Sequence, residues 1–124
     1  MAEMDVALKD ALQVDGAIAA AIVDYTSGMA LGTAGGGRDF DIATAAAANT
    51  EVLRAKLRTI DLLGLRETID DILVTLGSQY HLIRPVKGSS GEGLFMYLAL
   101  NRDRANLAMA RHRLRLIERA LELS

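Results

Sequence analysis

The sequence predicts an α+β domain in which a single long helix interrupts an antiparallel sheet, and three observations carry that prediction. The hydrophobic period changes to that of a helix between Phe40 and Gly64. Before it, Gly16 to Asp24 and Met29 to Thr33 read as two short strands around a tight turn. After it, Thr68 to Leu76, Gln79 to Val86 and Gly93 to Asn101 read as three more. With an amphipathic segment at each end, the order becomes α-β-β-α-β-β-β-α, a layered domain with helices on both faces of its sheet.

The first helix is predicted over Glu3 to Gln13, where Met4, Leu8, Ala11 and Leu12 recur at helical spacing and Asp15-Gly16 ends the pattern. Ala17 to Val23 is apolar on both sides of a strand, so it belongs in the middle of the sheet. Tyr25-Thr26-Ser27-Gly28 supplies the turn into the second strand, and Gly35-Gly36-Gly37 closes that strand. The long helix gathers Ile42, Ala45, Ala46, Val52, Leu53, Leu57, Ile60 and Leu63 into one arc, with Glu51, Arg54, Arg58 and Asp61 opposite. Gly64 is its expected stop.

Gly77-Ser78 is a two-residue hairpin connection, Pro85 sits where a missing N–H matters least, and Gly88 to Gly93 is a connector. The fifth strand, Leu94 to Leu100, is again apolar on both faces and therefore central. Asp103 is the expected cap of the last helix, whose seam is Leu107, Ala110, Leu114, Ile117 and Leu121. Placing the two doubly apolar strands side by side, the hairpins impose the sheet order 2-1-5-4-3. The terminal helices then share one face, and the long helix takes the other.

Composition narrows the function classes. At 124 residues, with no repeat and no linker, the chain reads as one domain spanning 1–124. A net charge of −2 argues against nucleic acid as the main partner, because neutralising phosphates needs a positive excess. The absence of cysteine removes disulfides, thiolate catalysis and sulfur-ligated metals. The longest apolar runs are strand-length, so direct membrane insertion is not expected. Met1 to Asp10 carries acids and no basic stretch, so no signal peptide is expected and a cytoplasmic location is the default.

Candidate chemistry is sparse. Gly32 to Gly37 has phosphate-loop spacing, but Arg38-Asp39 follows where Lys-Ser/Thr would be needed, so it reads as a connector. His81 and His112 have no acid at a ligand or triad spacing, and Asp70-Asp71 would point to opposite faces of a strand. No catalytic, metal or cofactor residues are assigned, and the chain is expected not to be an enzyme. The last helix is predicted to carry Arg104, Arg111, Arg115 and Arg119 along one stripe. Its first reading is a solvated, salt-bridged face, and its second is a contact for an acidic protein partner.

Asn49 and Lys56 are the sharper anomaly, since both fall inside the apolar arc of the long helix. A buried unpaired amide or ammonium is costly, so something must receive them. One account is a local bond for Asn49 with Lys56 snorkelling to water. The other is a second copy of the chain against an interface of Ala45, Ala48, Asn49, Val52, Lys56, Ile72 and Val74, with the third strand pairing across a two-fold axis.

Three segments in this order resemble the Roadblock dynein light chain family. Gly16-Ala17, Val23-Asp24 and Gly28-Met29-Ala30-Leu31 resemble its opening hairpin, and Asp103 to Arg111 its closing segment, where an Asn-Leu pair begins the last helix. Tyr80-His81-Leu82-Ile83-Arg84-Pro85 followed by Gly93-Leu94-Phe95 resembles its bacterial, particularly actinobacterial, branch. The resemblance implies a profilin-like Roadblock sandwich that forms homodimers through the long helix and third strand. It also implies association with a small Ras-like GTPase, in some settings beside a sensor histidine kinase-like protein that could bring the chain to a membrane. Alternatives kept open are a purely structural adaptor for such a kinase and a small-molecule sensor, since sensor folds share this layered form.

Overall fold

The computed structural model describes residues 2–88 and 93–122. Its elements are α1 (Ala2–Leu12), β1 (Ala17–Asp24), β2 (Met29–Gly35), α2 (Ile42–Leu62), β3 (Ile72–Thr75), β4 (Gln79–Pro85), β5 (Leu94–Asn101) and α3 (Leu107–Glu122). All five strands are antiparallel neighbours in the order β2-β1-β5-β4-β3. This is the predicted architecture. The connector expected between Gly88 and Gly93 lies, over 89–92, outside the described residues.

The pairing of β1 with β5 follows from their composition. Ala19 to Val23 and Phe95 to Leu100 are all buried, and the register sets Ala21 opposite Tyr97 and Val23 opposite Phe95. Strands apolar on both faces need a layer above and a layer below. On one side α1 and α3 pack together, burying Leu8, Ala11, Leu114 and Ile117 on Ile22, Leu82, Leu98 and Leu100. On the other, Ala46 and Leu53 of α2 meet Ala21, Val23, Ile83, Phe95 and Tyr97.

Two element boundaries differ from expectation. The third strand begins at Ile72 rather than Thr68, because Asp70 and Asp71 spend their carboxylates on ion pairs instead of entering the ladder. The last helix begins at Leu107, capped by Asn106 and not by Asp103. The Asn106 side-chain oxygen accepts from the Met109 amide at 3.1 Å, and its carbonyl accepts from Ala110. Asp103 lies instead in the turn after β5, where its amide donates to the Asn101 side chain.

The end of β2 depends on one glycine. Gly35 has φ +71°, and a Cβ there would lie 2.5 Å from the Ile18 carbonyl oxygen. Gly35→Ala should therefore lower stability by about 1–3 kcal/mol in urea unfolding. Gly77→Ala is the matched control, since Gly77 has open space around it and should leave the midpoint unchanged or slightly raised. Equal midpoints for the two variants would refute the account of this turn.

Candidate functional site

The long helix is the most heavily specified element. Asp41 caps its start: one carboxylate oxygen accepts from the Thr44 amide at 3.1 Å and the other from the Thr44 hydroxyl at 2.7 Å. Those bonds hold the Asp41 carboxyl below its ordinary pKa. Its end is a Schellman motif, with Gly64 at φ +70° donating to Asp61 and Leu65 donating to Ile60. Such definition at both ends fixes where the helix starts and stops.

The buried face of the helix is narrower than the predicted arc. Ala46, Thr50 and Leu53 are buried, and Ile42, Asn49, Leu57 and Ile60 are half-buried. Leu63, expected within the arc, is 65% exposed because it is the C-terminal cap residue beyond the last packed turn. Arg54, expected to face solvent, instead ties the helix to the β1–β2 turn. Its Nε donates to the Tyr25 carbonyl at 2.9 Å and a terminal nitrogen donates to Thr26 at 2.7 Å.

Of the seven residues assigned to an interface, five lie on α2. Asn49 makes the local bond, donating from Nδ2 to the Ala45 carbonyl at 2.8 Å. Lys56 is exposed and makes no demand on the core, so its placement inside the apolar arc is corrected. Ala48, Val52 and Lys56 form an exposed edge of small and flexible side chains, adjoining half-buried Ala45 and Asn49. Ile72 and Val74 are half-buried on β3, opposite Ile83 and His81.

A cleft of about 320 Å³ lies between α2 and the sheet, and its His81 is the cross-strand neighbour of Val74. It is lined by Ala45, Asn49 and Thr44 from α2 and by His81 and Tyr97 from the sheet, with Phe40 at its rim. The three rings interlock: Phe40 stacks on Tyr97 at 6.5 Å, and His81 meets each of them edge-on at 5.9 and 5.5 Å. The Tyr97 hydroxyl is the one buried side-chain polar atom among the described residues without a hydrogen-bond partner. Asn49 approaches it without closing a bond of good geometry, and burial pushes the phenol up to about 12. Sequence reasoning missed Tyr97 and Phe40, because their meeting depends on how the helix lies on the sheet.

β3 is the outer strand at this side. The Leu76 amide donates inward to Gln79 at 2.8 Å, so by alternation Val74 also turns its N–H toward β4 while Leu73 and Thr75 direct theirs outward. The open ladder positions are thus those of Leu73 and Thr75. Ile72 and Val74 contribute side chains to the α2 side.

The predicted arginine stripe divides. Arg104 lies in the turn before α3, off the helix. Arg111 forms a two-bond pair with Asp71 at 2.9 and 3.1 Å. Arg115 and Arg119 are exposed and line a separate pit. Among the described residues no group of three His, Cys, Asp or Glu side chains could hold a metal, and no helix is long and apolar enough to cross a membrane.

An α+β sandwich with one helix on one face of a 2-1-5-4-3 sheet and two on the other defines the class of protein. Solved structures of the same arrangement identify the fold as that of Roadblock/LC7 domains. A Roadblock/LC7 domain from Streptomyces avermitilis superposes with a TM-score of 0.79 over 94% of this chain and 92% of its own, at 14% identity. The gliding protein MglB from Thermus thermophilus gives 0.80 over 98% and 87%, at 17% identity. MglC from Myxococcus xanthus gives 0.64 over 98% of both chains, at 20% identity. No protein-family model matches this chain, and no curated protein sequence does.

Burial lowers the pKa of His81, whose Nε2 shares a 2.8 Å bond with the Gln79 side-chain oxygen. A histidine depressed in the folded state contributes stability that is present above its unfolded value, about 6.5, and is lost as pH falls through the folded value. The urea midpoint should therefore decline between about pH 7 and 5.5 more steeply in the native chain than in His81→Gln. His112 is present in both, so parallel pH profiles would remove His81 as the cause.

Proposed function

We infer that this chain is a non-enzymatic, homodimeric regulatory or scaffold subunit that binds a small Ras-like GTPase in bacterial signalling. The observation that carries the self-association is the continuity of three features: the exposed α2 edge, the cleft with an orphan Tyr97 hydroxyl, and the outer strand β3. A second copy laid across them would cover the small residues, offer Tyr97 a partner and extend the sheet through Leu73 and Thr75. The Roadblock/LC7 fold supports this reading, and one structure of MglB, 19% identical with a TM-score of 0.73, is described as having a tetrameric arrangement.

The GTPase partner rests on the sequence resemblance, together with the likeness to gliding proteins of the same fold. In this reading the chain acts through its surface and lends no catalytic group. Measuring GTP hydrolysis by a small GTPase that co-purifies with the chain, with and without the chain present, separates a regulator from a plain adaptor for a sensor kinase. The orphan hydroxyl would also suit a small polar ligand, which favours the sensor reading. A thermal midpoint that rises with one member of a metabolite panel would select it.

Two substitutions test the dimer. Ala48→Arg places a charge on the helix edge and should raise the dimer dissociation constant more than tenfold, about 1.4 kcal/mol or more, by light scattering after size exclusion. Thr75→Pro removes an outward N–H without touching the β4 ladder, and should weaken association while leaving the fold intact. Undiminished dimers in both variants would place any self-contact elsewhere on the molecule.

A further inference from the structure

A second polar feature lies on the far side of the sheet from that cleft and has no part in the proposed interface. Arg84, one residue before the end of β4, lies beneath α3 and is only 8% exposed, while Glu118 of α3 is 4% exposed. Their side chains meet at 2.6 Å, and the second Glu118 oxygen accepts from the Lys87 amide at 2.8 Å. Both oxygens of this carboxylate are thereby committed to fixing Arg84 and the chain at Lys87. A terminal nitrogen of Arg84 also donates to the Asp70 carbonyl, at 3.3 Å.

Around this anchor a pit of about 180 Å³ is lined by Arg84, Lys87, Arg115, Glu118 and Arg119. The Lys87 ammonium is held at the rim by Asp70. Arg115 and Arg119, one turn apart on α3, have no hydrogen-bond or ion-pair partner among the described residues. Among the described residues, four cations thus converge on two carboxylates in a chain whose net charge is −2. Like charges at i and i+4 on a helix repel. The negative end of the helix dipole favours Arg119, which lies in the last turn, and Asp70 attracts Arg115, but among the described residues neither arginine has a hydrogen-bond acceptor.

We propose that this pit binds a phosphoryl group, with Arg115 and Arg119 closing over it and Arg84 forming its floor. Arg84 keeps N–H groups beyond the two it spends on Glu118 and Asp70, and each guanidinium presents a planar fork suited to paired oxygens. The free forks of Arg115 and Arg119, with the remaining Arg84 N–H groups, match the several oxygens of a tetrahedral anion better than the two of a carboxylate. Because Glu118 holds the floor rigid, Arg84 needs little ordering on binding, and the ordering cost falls on Arg115 and Arg119. The group could arrive as a free anion or on a phosphorylated side chain of a partner. The chemistry is the same.

The test is calorimetric titration of the full chain at fixed ionic strength with inorganic pyrophosphate, and in parallel with a short phosphoserine peptide. Saturable binding in either arm supports the pit, and the arm that binds identifies the source. The double variant Arg115→Gln/Arg119→Gln should weaken that binding at least tenfold. Both residues are exposed, so its urea midpoint should stay at the native value. No binding in either arm beyond a sodium chloride control would overturn the proposal, as would a double variant binding within twofold of the native chain. Equal affinity for succinate would overturn it too, and would indicate an acidic protein surface as the occupant.

Discussion

The β1–β5 pairing is the constraint from which the rest of the molecule follows. Both strands are apolar on both sides, so neither can lie at an edge, and each side of the pair needs a covering layer. Their antiparallel neighbours β2 and β4 flank the pair, which leaves β2 and β3 as the two edges. Among the described residues there are three helices with which to cover two faces. Two of them, α1 and α3, pack against each other on one side, so α2 covers the other alone.

The consequences lie in where α2 falls. It lies over β1 and β2, the half of the sheet to which Arg54 fastens it. Over β4 and β3 the same face carries His81, Ile72 and Val74 in a half-buried state, with Tyr97 at the boundary. A single helix is too narrow for five strands, and the deficit is concentrated beside the outer strand. Self-association through that region is a reading that uses the deficit, and it needs no special chemistry. The arginine pit has a different origin. It comes from the junction of β4 with α3, where a buried ion pair is costly unless every donor and acceptor is used.

Most of the fold was legible in the sequence because it is written in period and punctuation. Ala17 to Val23 and Leu94 to Leu100 announce central strands, Gly28 and Gly77-Ser78 announce hairpins, and Gly64 announces a helix end. Boundaries were lost where a charged residue chose a partner distant in sequence. Asp71 pairs with Arg111, forty positions away, and so stays outside β3. Asp103 yields the cap to Asn106, because the chain spends one more turn after β5.

The candidate site was only half legible, for a related reason. Helical period shows which residues share an arc but not how much of that arc a sheet will cover, so Lys56 and Leu63 were placed too deep. Asn49 found its local bond, whereas Tyr97, equally polar and more deeply buried, carried no signal in a run that reads as pure core. Arg115 and Arg119 share the predicted stripe, but Arg84 lies far from them in the sequence, and only the crossing of β4 under α3 unites the three. Sedimentation equilibrium of the native chain across a micromolar concentration series is the most direct measure of the central claim, that this fold is completed by its own copy. The account predicts a mass near twice 13.3 kDa that falls on dilution. A single species of 13.3 kDa at every concentration would contradict it.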